Sequence, residues 1–279
     1  MIFSFLTIIH NLLLWPLTWA KSAAIAYRIV SSPYSRFFIP LYSFVYRINP
    51  EEAELPLSEY PTILSLFQRK LAANARPIDY HEDIIVSPVD GIVTAMGGVS
   101  SETTMLVKEE TYKVRDLLQS RKAARAYQGG SYIIIYMPAG AYHHVHSPFD
   151  GLVIWTRLIK GQHYPLNALA QKSVSKLYIR NTRQINFLQP LVNQDDAGKR
   201  TPVALIQVAS SLVGTIVNRF SSDSLEIEPS FFKKGEELGY FTFGSTVALV
   251  FPPGDVELIR QTRLGQTLRV GEPIARFLP

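Results

Sequence analysis

The chain has 279 residues, is 47% hydrophobic and 18% charged, and sets 28 basic against 23 acidic side chains for a net charge of +5. It has no cysteine, which excludes disulfides, thiolate metal sites and a cysteine nucleophile. The basic balance argues against a basic partner and suits an anionic lipid surface, with nucleic acid as the rival.

The first twenty residues, "MIFSFLTIIHNLLLWPLTWA", contain no Lys, Arg, Asp or Glu, and the first charges after them are Lys21 and Arg28. A signal peptide needs a basic start, which is missing. The length allows a spanning helix. The preferred reading is a helix lying at the membrane interface, since Trp15, Trp19, Tyr27, Tyr34 and Tyr42 suit headgroup depth and basic residues follow them. A buried hydrophobic helix is the competing reading. "SRFFIPLYSFVYRINP" continues the helical region with an expected break at Pro40, "EEAELPLSEYPTI" is a polar connector, and "ILSLFQRKLA" predicts a short helix.

From about Asp83 the texture changes. Short β-branched or aromatic runs such as "IIVSPVDGIVTAM", "SYIIIYMP", "DGLVIWTRL", "PVALIQVAS", "SLVGTIVNRF", "TVALVFP" and "EPIARF" are bounded by Gly, Pro, Asp and Ser. That pattern predicts hairpins, interrupted by one helix around "ETYKVRDLLQ" and a polar turn at "NQDDAGKR". The expected fold class is α+β: an apolar helical membrane-associating region over residues 1–75, then a β-rich domain of antiparallel hairpins and sandwich-like sheets over 76–279.

Three stretches could carry chemistry. "SPVDG", ending at Gly91, reads by itself as a tight turn. "YHHVHSP", from Tyr142 to Pro148, holds three of the six histidines. A metal site there would need a carboxylate such as Asp90 or Asp150 to fold in. The pair Gly244-Ser245 in "GYFTFGSTVALVFPP" reads by itself as a strand-end bulge with a solvent-facing hydroxyl. Together, Asp90, a histidine and Ser245 are the ingredients of an activated hydroxyl. No Gly-x-Ser-x-Gly elbow surrounds Ser245. Its flanks are strand-like, so the nearest carbonyl is that of Gly244, and the arrangement points to self-cleavage.

These stretches, in this order, resemble those of the phosphatidylserine decarboxylase family, pyruvoyl enzymes made as self-processing proenzymes. The family's Leu-Gly-Ser-Thr cleavage motif appears as Phe243-Gly244-Ser245-Thr246, with Phe in place of Leu. "YHHVHSP" is similar to Tyr-His-x-Val-His-x-Pro, "FFKKGEELGYF" to Lys-Gly-x-Glu-x-Gly-x-Phe, and "VGTIV" to a strand preceding it. The similarity spans about Ile84 to Pro252, and the N-terminal region matches in character only.

The resemblance implies a processing triad of Asp90, His146 and Ser245, with cleavage between Gly244 and Ser245 into a β chain (1–244) and an α chain (245–279). It implies a covalent pyruvoyl cofactor derived from Ser245, with no metal. His143 is the expected proton donor in decarboxylation, and His144 takes the variable position. The implied substrate is phosphatidylserine and the product phosphatidylethanolamine. The expected partners are an anionic membrane surface and the sister chain of the same precursor, with a homodimer allowed and nucleic acid not expected. The expected location is the cytoplasmic face of a bacterial membrane, peripheral or monotopic. The alternatives are a pyruvoyl decarboxylase of a soluble amino acid and a membrane-bound serine hydrolase using Asp90, His146 and Ser245.

Overall fold

The computed structural model describes residues 20–107, 109–166, 174–191, 200–210, 216–220, 228–242 and 244–279. Most of the apolar N-terminal stretch and of the "NQDDAGKR" turn lies outside the described residues, as do the start of "SLVGTIVNRF" and Phe243 of the cleavage motif.

The β-rich expectation holds. Among the described residues, the largest sheet has eight antiparallel strands. In spatial order they are β11 (Ser230–Phe232), β7 (Gly151–Ile159), β8 (Arg183–Pro190), β9 (Val203–Ala209), β13 (Ser245–Phe251), β5 (Ser131–Met137), β2 (Gly91–Gly98) and β15 (Thr267–Leu268). Two three-stranded sheets accompany it. One is β1 (Ile84–Val86), β16 (Pro273–Phe277) and β14 (Val256–Leu258). The other is β10 (Ile216–Asn218), β12 (Glu237–Phe241) and β6 (His144–His146). A separate hairpin pairs β3 (Thr104–Val107) with β4 (Glu110–Lys113).

Strands β7, β8 and β9 follow as neighbours, as hairpins require, but β13 enters between β9 and β5 from far along the chain. Every residue of β13 and of β9 is buried, because both faces of the sheet are covered. Residues alternate between faces with period two. Val247, Leu249 and Phe251 join a core with Val145, Leu238 and Ile274 from the small sheets. Ala248 and Val250 join a second core with Met105, Tyr112, Leu117 and Tyr178. Ser245, in phase with Val247, points to the first of these cores.

Two helix expectations are corrected. "ETYKVRDLLQ" opens as β4, and only Val114–Leu118 is helical, because Thr111 and Tyr112 pair across to Leu106 and Met105. The N-terminal break falls before Pro40. A helix spans Ala20–Ser31, a 3-10 turn spans Pro33–Phe38, and a second helix spans Ile39–Tyr46 with Pro40 in its first turn, where its missing N–H costs nothing. The helix in "ILSLFQRKLA" covers Ile63–Phe67. Among the described residues, no helix is long and apolar enough to cross a membrane.

This helical layer has its own small core of Ile39, Ile48, Ala53, Tyr60 and Leu66. It meets the β domain at the loop after β5. The Tyr42 hydroxyl donates to Ala139 O (3.2 Å), and Arg69 Nη2 donates to Gly140 O (2.7 Å). A Cβ on Gly140 would overlap the Tyr46 carbonyl. Gly140→Val should therefore loosen the layer without unfolding the sheet. Hydrogen exchange should rise across residues 39–72 while β5, β9 and β13 keep their protection; unchanged exchange in that layer would show that the seam is not set by Gly140.

Candidate active site

Ser245 opens β13, opposite Met137 on one side and Ala209 on the other. It is fully buried, and its Oγ donates to Met137 Sδ at 2.9 Å. A thioether is a weak acceptor, so the hydroxyl is held loosely in a place where a methyl would pack at no polar cost. Leaving such a hydroxyl poorly paired costs about 1–3 kcal/mol. Gly244 precedes it with φ +53°, a left-handed backbone that penalises any side chain. Its carbonyl accepts from Ser210 N at 3.1 Å.

The histidine stretch forms only three residues of strand, His144–His146. His146 is fixed at both ring nitrogens: Nδ1 lies 2.8 Å from Gly235 O, and Nε2 lies 3.0 Å from the Tyr142 hydroxyl. A carbonyl can only accept, so Nδ1 carries the proton and Nε2 keeps its lone pair. Burial pushes the His146 pKa down, against the opposing pull of the Gly235 carbonyl. The same burial raises that of Tyr142, keeping its hydroxyl a donor. His146 is thus a neutral imidazole with a basic Nε2, the form a general base requires.

His143 sits before the strand and is completely buried. Its Nδ1 lies 2.9 Å from Ala141 O, and its ring packs on Phe67 with centroids 3.9 Å apart. Nε2 has no hydrogen-bond partner among the described residues, and the Met137 backbone lies close enough to the ring to favour its charged form. Met137 therefore touches both the Ser245 hydroxyl and the neighbourhood of His143. Burial pushes the His143 pKa down to about 3. His144 faces elsewhere, with Nδ1 3.2 Å from Glu237 Oε2, Nε2 3.2 Å from Gln68 O, and its ring stacked on Tyr142.

Asp90 ends the "SPVDG" turn, and His146 N donates to Pro88 O in that turn (2.8 Å). The carboxylate and the imidazole therefore lie on adjoining segments, yet no hydrogen bond joins Asp90, His146 and Ser245 to one another among the described residues. Asp90 Oδ1 accepts from Arg76 Nε (3.0 Å) and Val270 N (2.9 Å), and Oδ2 from Arg76 Nη2 (2.5 Å). Arg76 Nη2 also reaches Glu52 Oε2 at 2.7 Å. Arg76 and Ser210 carried no signal in the sequence: one is an arginine without a motif between the short helix and β1, and the other acts through its backbone. Tyr142 lay in plain view within "YHHVHSP" but had no assigned task. Among the described residues, no group of three or more His, Asp or Glu side chains could hold a metal ion, and Asp150 is engaged by Lys234 N at 2.6 Å.

The low His143 pKa has a definite sign. Below about pH 6.5 the unfolded chain binds a proton at this ring and the folded chain does not, so stability falls as pH falls, down to about pH 3. In a Ser245→Ala background, this group should remove roughly 1 kcal/mol of unfolding free energy between pH 7.5 and 5.5. Adding His143→Gln should abolish that component. Urea titrations with equal pH dependence in the two proteins would show that His143 charges freely in the folded state.

The phosphatidylserine decarboxylase family model matches residues 63–276. A phosphatidylserine decarboxylase proenzyme of Bacillus thuringiensis (strain Al Hakam) is 36% identical over 251 residues, covering 90% of each chain. Proenzymes of the same description from Bacillus cereus (strain AH187) and Bacillus anthracis (strain A0248) match to the same extent. The matched region contains the Gly244-Ser245 junction, the histidine stretch and Asp90, and by the family model and these relatives the chain belongs to the phosphatidylserine decarboxylase family.

Proposed function

We propose that the chain is a self-processing decarboxylase that converts phosphatidylserine to phosphatidylethanolamine and CO2 through a pyruvoyl group made from Ser245. The observation that carries this reading is the Gly244-Ser245 junction. A buried, weakly paired hydroxyl heads a central strand, directly after a left-handed glycine whose carbonyl is fixed. The full burial of Ser245 disfavours a serine hydrolase, whose nucleophile must meet an incoming acyl group.

In this reading Ser245 Oγ adds to the Gly244 carbonyl carbon and gives its proton to His146 Nε2. The C–N bond then breaks and the nitrogen takes the proton, leaving an ester between Gly244 and Ser245 Oγ. Removal of the Ser245 α-proton breaks the Cβ–Oγ bond and releases Gly244 as a carboxylate. The remaining dehydroalanine takes up water and loses ammonia, leaving the pyruvoyl group. Glu237 and, more weakly, Asp90 supply negative charge near His146, which favours the imidazolium. The tyrosine on Nε2 must move aside for the base to act, which takes its buried ring out of its stack on His144.

Once formed, the pyruvoyl ketone supplies an electron sink for the pair released as CO2 departs. His143 returns the proton to the substrate's α carbon. Burial keeps its ring neutral with Nε2 unprotonated, so it must gain a proton first. A substrate carboxylate or phosphate nearby raises an imidazole pKa and makes that possible.

The helical layer supports membrane docking. Ile25 and Ile29 stand one turn apart, Tyr34 and Phe37 eclipse on the 3-10 turn, and Leu41, Phe44 and Val45 share a helix face. All of them are exposed, Phe44 to 82%. Arg28 and Arg36 lie among them, and Arg36 sits over the Phe37 ring. An apolar patch rimmed by cations suits an anionic bilayer surface.

Intact-mass analysis is the first test. The wild-type chain should give two fragments, the smaller with a blocked N-terminus, whereas Ser245→Ala and His146→Ala should stay whole; fragments from Ser245→Ala would end the self-cleavage reading. His143→Ala should be cut normally but release CO2 from phosphatidylserine roughly 100-fold more slowly, and a wild-type rate would remove His143 from the proton transfer.

Docking is tested separately. The Phe37→Ser/Phe44→Ser double variant should lose more than about tenfold in binding to anionic liposomes, since each buried Phe contributes about 1.5–3 kcal/mol, while its self-cleavage is unaffected. Equal co-sedimentation of the two proteins would place the docking surface elsewhere.

A further inference from the structure

The antiparallel pairing of Ser245 with Ala209 sets the next ladder bond between Ser210 and Gly244. Ser210 N donates to Gly244 O at 3.1 Å, so the carbonyl proposed to be attacked already has a donor on its oxygen. That donor is held from several sides. Ser210 Oγ accepts from Leu166 N at 3.2 Å. Asn181 Nδ2 donates to Ala209 O (2.9 Å) and Tyr164 O (2.7 Å). Ala209 N donates to Thr182 O at 2.9 Å. Ser210 is buried. Glycine suits this close approach, since a Cβ at Gly244 would stand 3.0 Å from Ser210 Cβ, tighter than side chains normally pack, and would strain its left-handed backbone.

We infer that the Ser210 backbone N–H is the oxyanion donor for opening the Gly244–Ser245 bond. This rests on the self-cleavage reading and adds a residue to it. As Ser245 Oγ bonds to the carbonyl carbon, the C–O π pair moves onto Gly244 O, at the place where the N–H already points. The neutral hydrogen bond becomes a charge-assisted one, which is about twice as strong. When the tetrahedral centre collapses, the pair returns to the C–O bond and the Ser245 nitrogen leaves, taking the proton held by the base. A fixed donor in a buried site needs no reorganisation as the charge develops, and a single such donor typically contributes about 10²–10³-fold in rate.

The test replaces the amide at position 210 in the full chain with an ester, using the α-hydroxy analogue of serine, so that the side chain stays, the N–H is lost and the Ala209 carbonyl becomes a weaker acceptor for Asn181. The same replacement at Ala209 is the control, since it deletes one hydrogen bond of the same strand, to Thr182, without touching Gly244. Self-cleavage is followed by intact mass, and the thermal midpoints of both variants are recorded. The position-210 ester should be cut about 10²–10³-fold more slowly, and the Ala209 ester at close to the unmodified rate. An unmodified rate in the position-210 ester overturns the inference, and so does equal slowing in the two esters, which marks a general loss of strand stability. An unmodified chain that never cleaves overturns the self-processing reading itself, a result separate from either of these.

Discussion

The sheet places a hydroxyl where it can find no good partner. Ser245 heads a strand flanked on both edges and covered on both faces, so water cannot serve it, and among the described residues its only acceptor is a thioether. A sequence selected for packing alone would put Val or Ala there. The glycine before it is equally unfavourable in its left-handed backbone. Both features make sense if this is the bond that is proposed to break, and the surrounding structure holds that bond still. The ladder to β9 fixes the carbonyl, the ladder to β5 fixes the strand, and the small sheet carrying the histidines lies on the face to which Ser245 points.

The groups around the junction are arranged by backbone more than by one another. Gly235 O sets the tautomer of His146, and Ala141 O engages the Nδ1 of His143. The carboxylate of Asp90 is gripped by Arg76, which in turn reaches Glu52 at the edge of the helical layer, and Arg269 lies 3.3 Å from the same Glu52. The carboxylate beside the histidines is therefore tied to the helical layer by a chain of ionic contacts whose Asp90–Arg76 end is largely buried and so only weakly screened by salt.

Much of this was legible in the sequence because it lives in local pattern. The turn residues of "SPVDG", the change to short β-branched runs near Asp83 and the small pair inside a strand each carry a local physical signature. What was not legible is long-range. No periodicity announces that β13 inserts between β9 and β5. The stretch "ETYK" has the composition of a helix start and becomes a strand because Met105 and Leu106 lie opposite it. The expected carboxylate–imidazole contact did not allow for Arg76, which arrives from a connector with no motif. Ser210 was invisible because it contributes a backbone N–H, which every residue but proline possesses.

The position of the junction at the head of β13 has a thermodynamic consequence. Everything after Gly244 supplies one central strand to the large sheet, the edge strand β15 beside β2, and two strands of the sheet that contains β1. While the chain is whole, refolding is unimolecular and does not depend on concentration. Once the bond before Ser245 opens, the same fold becomes a complex of two unequal chains, and its recovery after denaturation acquires a mass-action term. The shorter piece carries too little apolar surface to fold alone, so a protein cut there would persist by the slowness of its unfolding and not by its ability to refold. Maturation at this position would thus be a one-way passage, in which the native arrangement is inherited from the precursor and cannot be rebuilt readily from its parts.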